Sequence, residues 1–190
     1  MKLKYNSPII LTFALICSAI YFLDRFTAGH LMNYFTVGTS VQWDNPLSIF
    51  SLISHIFGHS GLDHLLGNMT FILLLGPIIE EKYGSRFTAI MILVTGLITG
   101  LLNISFFSTG LMGASGIVFM LILLVSFTNV KKGEVPLTFI LVALLFIGKE
   151  VLHSLQADQV SQFAHIIGGT CGSLFGFMGK NAPSTDYEMP

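Results

Sequence analysis

The sequence predicts an all-α membrane protein in which six transmembrane helices form a bundle. Of its 190 residues, 53% are hydrophobic and only 10% are charged, whereas a soluble domain carries about 25% charged residues. The uncharged runs cover 5–23, 64–79, 87–130, 135–148 and 159–179. These lengths suit membrane crossings of about 20 residues. The longest run is interrupted by glycines and polar residues, so it predicts two crossings.

In chain order, the predicted crossings are 8–26, 62–80, 86–104, 115–130, 136–154 and 163–179. Seven basic residues fall on one side of this arrangement: Lys2, Lys4, Lys82, Arg86, Lys131, Lys132 and Lys180. Only Arg25 and Lys149 fall on the other side. Because positive charge accumulates on the cytoplasmic side, we expect both termini to be cytoplasmic. The membrane domain then covers 1–180, and the polar tail 181–190 is expected to be disordered.

A long outer segment, about 29–61, connects the first two crossings. Phe50, Ile53, Ile56 and Phe57 recur in it at helical spacing, and Trp43 suits the level of the lipid headgroups. The pattern is typical of a segment that lies in the membrane interface.

The net charge of −1 provides no basic field for nucleic acid. Two cysteines inside hydrophobic runs are too few for a disulfide framework and are expected to be buried thiols. Composition therefore predicts no nucleic-acid partner, and the hydrophobic runs predict contact with membrane lipid.

Polar residues from three crossings meet at one predicted depth. Ser115 begins the fourth crossing directly after a glycine-rich turn, His165 begins the sixth, and His64 and Asn68 begin the second. The fourth crossing, with 16 residues, would be about 24 Å long, which is shorter than the hydrocarbon core of about 30 Å. Ser115 would then lie below the outer surface, in a depression that water can reach.

These residue types at one site indicate acyl-transfer chemistry. A serine hydroxyl attacks well only when a base removes its proton, and His165 is the candidate base for Ser115. His64 and Asn68 share a helix face at i, i+4 and can donate hydrogen bonds to an oxyanion. Each residue also has a simpler interpretation: small residues pack helices, histidines lie at interfaces, and asparagines form interhelical hydrogen bonds.

A metal centre is disfavoured by the same sequence. His55, His59 and His64 could suggest zinc, but no His-Glu-x-x-His motif and no obvious carboxylate ligand accompany them. We therefore expect no metal or other cofactor, and a structural role for His55 and His59. Glu80, near the inner end of the second crossing, is also expected to form structural hydrogen bonds.

Glycines at intervals of four residues predict close helix packing. They are Gly168, Gly172 and Gly176 in the sixth crossing and Gly96 and Gly100 in the third. Such packing would bring the fourth and sixth crossings near enough for a hydrogen bond between serine and histidine.

Together, these motifs resemble the rhomboid family of intramembrane serine proteases, in the compact bacterial form of the GlpG type. The resemblance covers about residues 8–180. It is carried by Gly113-Ala114-Ser115-Gly116, Ala164-His165-Ile166-Ile167-Gly168 with Gly172, the series His55, His59, His64 and Asn68, and Glu80 before Lys82-Tyr83-Gly84-Ser85. The resemblance implies that Ser115 is the nucleophile and His165 the general base. It also implies an oxyanion hole formed by His64, Asn68 and the backbone amide of Ser115.

Other positions follow from the same resemblance. Gly113 and Gly168 support the site, and Phe119 stands where the family often has a tyrosine packed on the catalytic histidine. The segment between the first two crossings would be half-embedded in the membrane, and residues 149–162 would form a gate and cap. One departure is the missing Trp-Arg pair of the first outer loop, near 47–51.

The resemblance therefore implies a bacterial inner-membrane enzyme that hydrolyses peptide bonds in or beside the transmembrane helices of other proteins. Its active site would open toward the periplasm. Two alternatives remain at this point: a non-catalytic rhomboid-like binding or chaperone protein, and a small transporter. A transporter would more naturally show inverted repeats or charged groups at mid-depth, which the sequence lacks.

A general base must be neutral, so we predict that proteolysis is lost as the pH falls. Histidine ordinarily titrates near pH 6.5, and His165 carrying a proton cannot accept another from Ser115. Cleavage of a model transmembrane substrate should decrease below about pH 6.5, measured as initial rates. A rate that stays flat down to about pH 4 would contradict the role of His165.

Overall fold

The computed structural model describes residues 4–128, 134–154 and 159–179, and these residues are helical or lie in loops. The α-helices are α1 (Pro8–Phe26), α2 (Pro46–Ser54), α3 (Leu62–Tyr83), α4 (Ser85–Phe106), α5 (Ser115–Val125), α6 (Leu137–Ser154) and α7 (Gln159–Gly179). Two 3-10 helices, Leu31–Phe35 and His55–Phe57, lie between α1 and α3. The predicted all-α class is therefore confirmed.

Three helices in the described part of the chain are long and apolar enough to cross a membrane, namely α1, α3 and α4. α1 has the predicted bounds, while α3 and α4 extend each predicted crossing by a few residues. The helical spacing in the outer segment corresponds to α2 and the 3-10 helix after it. The count of six crossings remains a prediction. The tail 181–190 and most of the gate and cap at 149–162 lie outside the described residues and side chains.

The fourth predicted crossing, 115–130, was wrong at its inner end. α5 ends at Val125, and residues 126–128 form a turn. The ammonium group of Lys82, on α3, donates hydrogen bonds to the carbonyl oxygens of Phe127 and Thr128. A cation that binds terminal carbonyls stabilises a helix end. The resulting 11-residue helix is about 17 Å long.

α5 is the centre of the fold, and α7 packs directly on its backbone. A Cβ atom at Gly168 would overlap the carbonyl group of Gly116, and one at Gly172 would overlap the carbonyl group of Met120. One turn further, a Cβ atom at Gly176 would overlap the ring of Phe127, in the turn that follows α5. The predicted close packing by these glycines is confirmed. The two helix backbones touch at two successive turns because Gly168 and Gly172 carry no side chain at the contact.

α1 is attached to α3 by a buried carboxylate. Glu80 is 4% exposed, and its two carboxylate oxygens accept hydrogen bonds from the backbone N–H groups of Ile9 and Ile10, at 3.1 and 3.0 Å. The hydroxyl of Ser85 donates to the same carboxylate at 2.7 Å. An anion near a helix N-terminus satisfies free N–H groups and interacts favourably with the helix dipole. The structural role expected for Glu80 is confirmed.

Replacing Glu80 with glutamine should destabilise the fold. The glutamine amide is neutral, so the backbone N–H groups of α1 lose a charged acceptor. Hydrogen bonds to charged groups contribute about 1.5–3 kcal/mol. We expect the free energy of unfolding in detergent to fall by about that amount. Glu81 is exposed and adjacent in sequence, so Glu81→Gln is the control and should change stability by less than about 0.5 kcal/mol. Equal stabilities of the two variants would contradict the role of Glu80.

Candidate active site

A cavity of about 410 Å³ lies where α3, α5 and α7 meet. All four polar side chains of the predicted site line it: Ser115, His165, His64 and Asn68. The other residues around it are Asp63, Gly67, Phe71, Val118, Phe119 and Ile122. The structure thus brings together groups that are about 50 residues apart along the chain.

Ser115 is the first residue of α5 and follows a turn that only glycine adopts easily. Gly113 has φ +124°, a conformation that side chains disfavour. A Cβ atom there would stand 2.6 Å from Cε1 and 2.7 Å from Nε2 of the His64 ring. Gly113 therefore brings the turn before Ser115 into contact with His64. The free N–H groups at the start of α5 also favour negative charge beside Ser115.

The turn before Ser115 is held in place by two other parts of the chain. Leu111 and Val37 exchange two backbone hydrogen bonds, at 2.9 and 3.0 Å, which attach the turn to the outer segment. The backbone N–H of Gly113 donates to the carbonyl of His55 at 2.9 Å. From α4, the side chain of Asn103 donates to the carbonyl of Thr109 at 3.0 Å. The position of Ser115 therefore depends on the outer segment as well as on α5.

His165 lies on α7, one turn before the contact between Gly168 and Gly116. Its ring packs on Phe119, with 4.2 Å between the ring centroids and 39° between the planes. Both residues are half-buried. Phe119 is one turn after Ser115, so the aromatic ring fixes His165 on the side of the cavity that Ser115 lines.

His64 and Asn68 lie one turn apart on α3, and a different residue contacts each of them. The hydroxyl of Ser60 is 3.2 Å from Nδ1 of His64. Nδ2 of Asn68 is 3.0 Å from Nε2 of His59, and Nδ1 of His59 is 3.2 Å from the carbonyl of Phe57. A carbonyl can only accept, so Nδ1 of His59 carries the proton and Nε2 accepts from Asn68. Neutral His59 therefore orients the Asn68 amide.

The link between His59 and Asn68 was missed by sequence reasoning, which assigned His59 a structural role without a partner. The two residues are nine apart and belong to different elements, so no helical periodicity connects them. His55 is buried too: its Nδ1 lies 3.3 Å from the carbonyl of Ser51 and its Nε2 3.4 Å from the hydroxyl of Thr99. Burial lowers the pKa of both His55 and His59 to about 4.

Within the described residues, histidine, cysteine and carboxylate side chains form no group that could hold a metal ion. The rings of His59 and His64 lie edge to face with 5.1 Å between their centroids, and the ring nitrogens of His55, His59 and His64 contact backbone carbonyls, hydroxyls and an amide. The polar groups around the cavity are thus a hydroxyl, imidazoles and an amide, which suit proton transfer and hydrogen bonding to an anion.

Comparison with known proteins finds a match to the Rhomboid domain over residues 46–181. The chain is 24% identical to Rhomboid protease GlpG of Haemophilus influenzae over 193 residues, which cover 98% of each chain. It is 29% identical to RHOMBOID-like protein 1 of Arabidopsis thaliana over 73% of this chain and 36% of the relative. It is 32% identical to Rhomboid-related protein 1 of Caenorhabditis elegans over 66% of this chain and 38% of the relative. The chain thus spans a little over a third of the length of these plant and nematode relatives.

Buried neutral histidines make stability depend on pH. His55 and His59 have a pKa of about 4 in the folded chain, whereas an unfolded histidine has about 6.5. Between these pH values the unfolded state binds more protons than the folded state. The contribution of the two histidines to the free energy of unfolding therefore falls as the pH decreases from about 6.5 to 4, and it is constant above about pH 6.5. The midpoint temperature of thermal unfolding in detergent should therefore decrease as the pH is lowered from about 6.5 to 4.

Carboxylates also titrate in the lower part of this range, so variants are needed to isolate the histidine contribution. His59→Gln should make the pH dependence shallower because one of the two buried imidazoles is gone. His30 is exposed, and His30→Gln should leave the slope unchanged. If His59→Gln shows the slope of the unmodified protein, the assignment to His59 is wrong.

Proposed function

Since the chain belongs to the rhomboid family, we propose that it is an intramembrane serine endopeptidase that cleaves transmembrane or juxtamembrane segments of membrane proteins with a dyad of Ser115 and His165. The observation that carries this proposal is the cavity between α3, α5 and α7. It is lined by a serine at a helix N-terminus, a histidine packed on an aromatic ring, and two further polar groups. A purely structural use of these residues would not require a shared cavity.

In the proposed reaction, His165 accepts the proton of the Ser115 hydroxyl as the oxygen attacks the carbonyl carbon of the scissile bond. The C–N bond then breaks, and His165 returns the proton to the departing amine. A water molecule, deprotonated by the same histidine, hydrolyses the acyl-enzyme and releases Ser115. No cofactor takes part in these steps.

Negative charge develops on the carbonyl oxygen during both steps, and three donors are proposed to stabilise it. If Ser60 donates to Nδ1 of His64, the proton of that imidazole resides on Nε2, the atom beside Gly113. The Asn68 amide, oriented by His59, provides a second donor. The backbone N–H of Ser115 provides the third. Removal of one such donor typically lowers the rate by about 10²–10³.

The short α5 supports a buried position for this chemistry. Lys82 binds the carbonyls after its inner end, and the helix extends about 17 Å from there to Ser115. A hydrocarbon core of about 30 Å would then leave Ser115 well below the outer surface. Water must therefore enter through the cavity, and a substrate helix must enter from the lipid and unwind locally to expose its carbonyl.

We further propose that the chain has six crossings with both termini in the cytoplasm of a bacterial cell. The cavity would then open toward the periplasmic side of the inner membrane. The excess of Lys and Arg at one end of the predicted crossings supports this orientation. Its partners would be transmembrane protein substrates and the surrounding lipid.

Labelling with a fluorophosphonate tests the proposed nucleophile. The detergent-purified protein should acquire one adduct on Ser115, detected by mass spectrometry. Ser115→Ala should abolish the adduct, and His165→Ala should do so too because the hydroxyl then lacks its base. Ser126, beyond the other end of α5, is the matched control, and Ser126→Ala should be labelled normally.

A folded protein that acquires no adduct in detergent, and cleaves no model transmembrane substrate in lipid, would favour a non-catalytic binding protein instead. Labelling that persists in His165→Ala would contradict the dyad while leaving Ser115 reactive.

A further inference from the structure

A second cavity, of about 280 Å³, lies in the outer segment, between the 3-10 helix Leu31–Phe35 and α2. All of its lining residues belong to the stretch 33–51. Eight of the ten carry hydroxyl or amide side chains, and the other two are Gly38 and Leu47. None of them lines the cavity at Ser115. The proposed catalytic steps therefore do not account for this second cavity, which we call the outer cavity.

Hydrogen bonds within the chain connect the parts that surround the outer cavity. The hydroxyl of Ser48, on α2, accepts from the backbone N–H of Gln42 at 3.0 Å. The hydroxyl of Ser54, also on α2, donates to the carbonyl of Tyr34 at 2.6 Å. Since α2 is tied in this way to the stretches before it, a ligand would not have to order them, and preorganisation favours binding.

Three polar side chains of the outer cavity are available to a ligand. Asn33, Ser40 and Gln42 are exposed, and within the part of the chain that the structure describes their side chains form no hydrogen bond with another residue. An amide both donates and accepts hydrogen bonds, and so does a hydroxyl. The outer cavity can therefore bind a partner that itself carries both donors and acceptors.

The charge of the outer segment indicates a neutral ligand. Residues 29–61 contain no lysine or arginine, and Asp44 is their only acidic residue. Sites for phosphate or carboxylate groups typically provide such cations. The volume of about 280 Å³ is near the lower end of the range of about 300–1,000 Å³ for small-molecule sites. These properties suit one sugar ring, which is uncharged and rich in hydroxyl groups.

The surroundings of the outer cavity indicate that the sugar belongs to a lipid. α2 exposes Leu47 and Phe50, each to 53%, and Trp43 is 67% exposed. Exposed apolar side chains and tryptophan are typical of a segment in the membrane interface, where the sequence also predicts this segment to lie. A ligand in the outer cavity would then be at the level of the lipid headgroups, and its acyl chains could pack on α2.

We propose that the outer cavity binds the sugar headgroup of a neutral glycolipid. The inference goes beyond the proposed protease function and does not depend on it. Ser48 and Ser51 line the cavity within 47–51, the stretch from which the Trp-Arg pair of the family is missing. Serine side chains are smaller than either member of that pair, so the site is expected to be a feature of this chain.

The single tryptophan of the chain, Trp43, provides the measurement because it follows Gln42 directly. The protein is reconstituted in phosphatidylcholine vesicles that contain increasing fractions of glucosyl diacylglycerol, and tryptophan emission is recorded. We expect a saturable change, accompanied by a higher midpoint temperature of unfolding because the ligand binds the folded state. Diacylglycerol without the sugar should produce neither effect.

Variants locate the site. Asn33→Ala and Gln42→Ala each remove an exposed amide and should fold normally. Each should weaken apparent binding by about 2–12-fold, which corresponds to the net contribution of about 0.5–1.5 kcal/mol for one hydrogen bond. Thr39 is exposed and near in sequence but does not line the outer cavity. Thr39→Ala is therefore the matched control and should bind as the unmodified protein does.

Four results would overturn the inference. Equal effects of diacylglycerol would show that no headgroup is recognised, and a stronger effect of phosphatidylglycerol would show an anion site. Saturation by methyl glucoside at the same concentrations would indicate a soluble saccharide instead of a lipid. Undiminished binding by both amide variants would place the headgroup elsewhere. Ser115→Ala should bind the glycolipid normally, so failure of the protease function and failure of this inference are distinguishable.

Discussion

The direct contact between the backbones of α5 and α7 is the constraint on which the site depends. Ser115 and His165 are 50 residues apart, and each lies in the N-terminal part of its helix. They line one cavity because Gly168 rests on the carbonyl of Gly116 and Gly172 on that of Met120. A side chain at either position would overlap the carbonyl group on which the glycine rests, so the two helices would have to move apart. The packing of α5 on α7 and the proposed pairing of Ser115 with His165 therefore both depend on glycine at 168 and 172.

A second level of organisation fixes the groups around Ser115. The carbonyl of His55 accepts from Gly113 in the turn before the serine, and the ring of His59 accepts from Asn68. Both histidines are buried and stay neutral because their pKa is lowered to about 4. A protonated His59 would have no lone pair for the Asn68 amide. The outer segment thus contributes to the site by orienting it, although none of its residues lines the cavity.

The sequence was sufficient for the features that have a local signal. Charge-free runs predicted the helices, and spacing by four predicted the glycine contacts. Features that depend on contacts between residues far apart in the chain could not be predicted from the sequence. The early end of α5 coincides with the contact between Lys82 and the carbonyl of Phe127, which is 45 residues further along the chain, and the run 115–130 contains no charged residue that would mark it. The His59–Asn68 contact joins a loop to a helix and has no periodicity. Ser115, His165, His64 and Asn68 were selected by residue type and depth, and their catalytic roles remain a proposal.

Glycine at helix positions was interpreted from the sequence as a signal for packing, and Gly67 shows the limit of that rule. A glycine allows close packing only where another helix contacts it, and the sequence does not reveal which glycines are in such contacts. In the structure, atoms of neighbouring helices lie close to Gly116, Gly168 and Gly172, whereas Gly67 lines the cavity beside Asn68. The same substitution to alanine therefore has opposite consequences. At Gly168 it would separate two helices, and at Gly67 it would strengthen one helix without displacing any described neighbour.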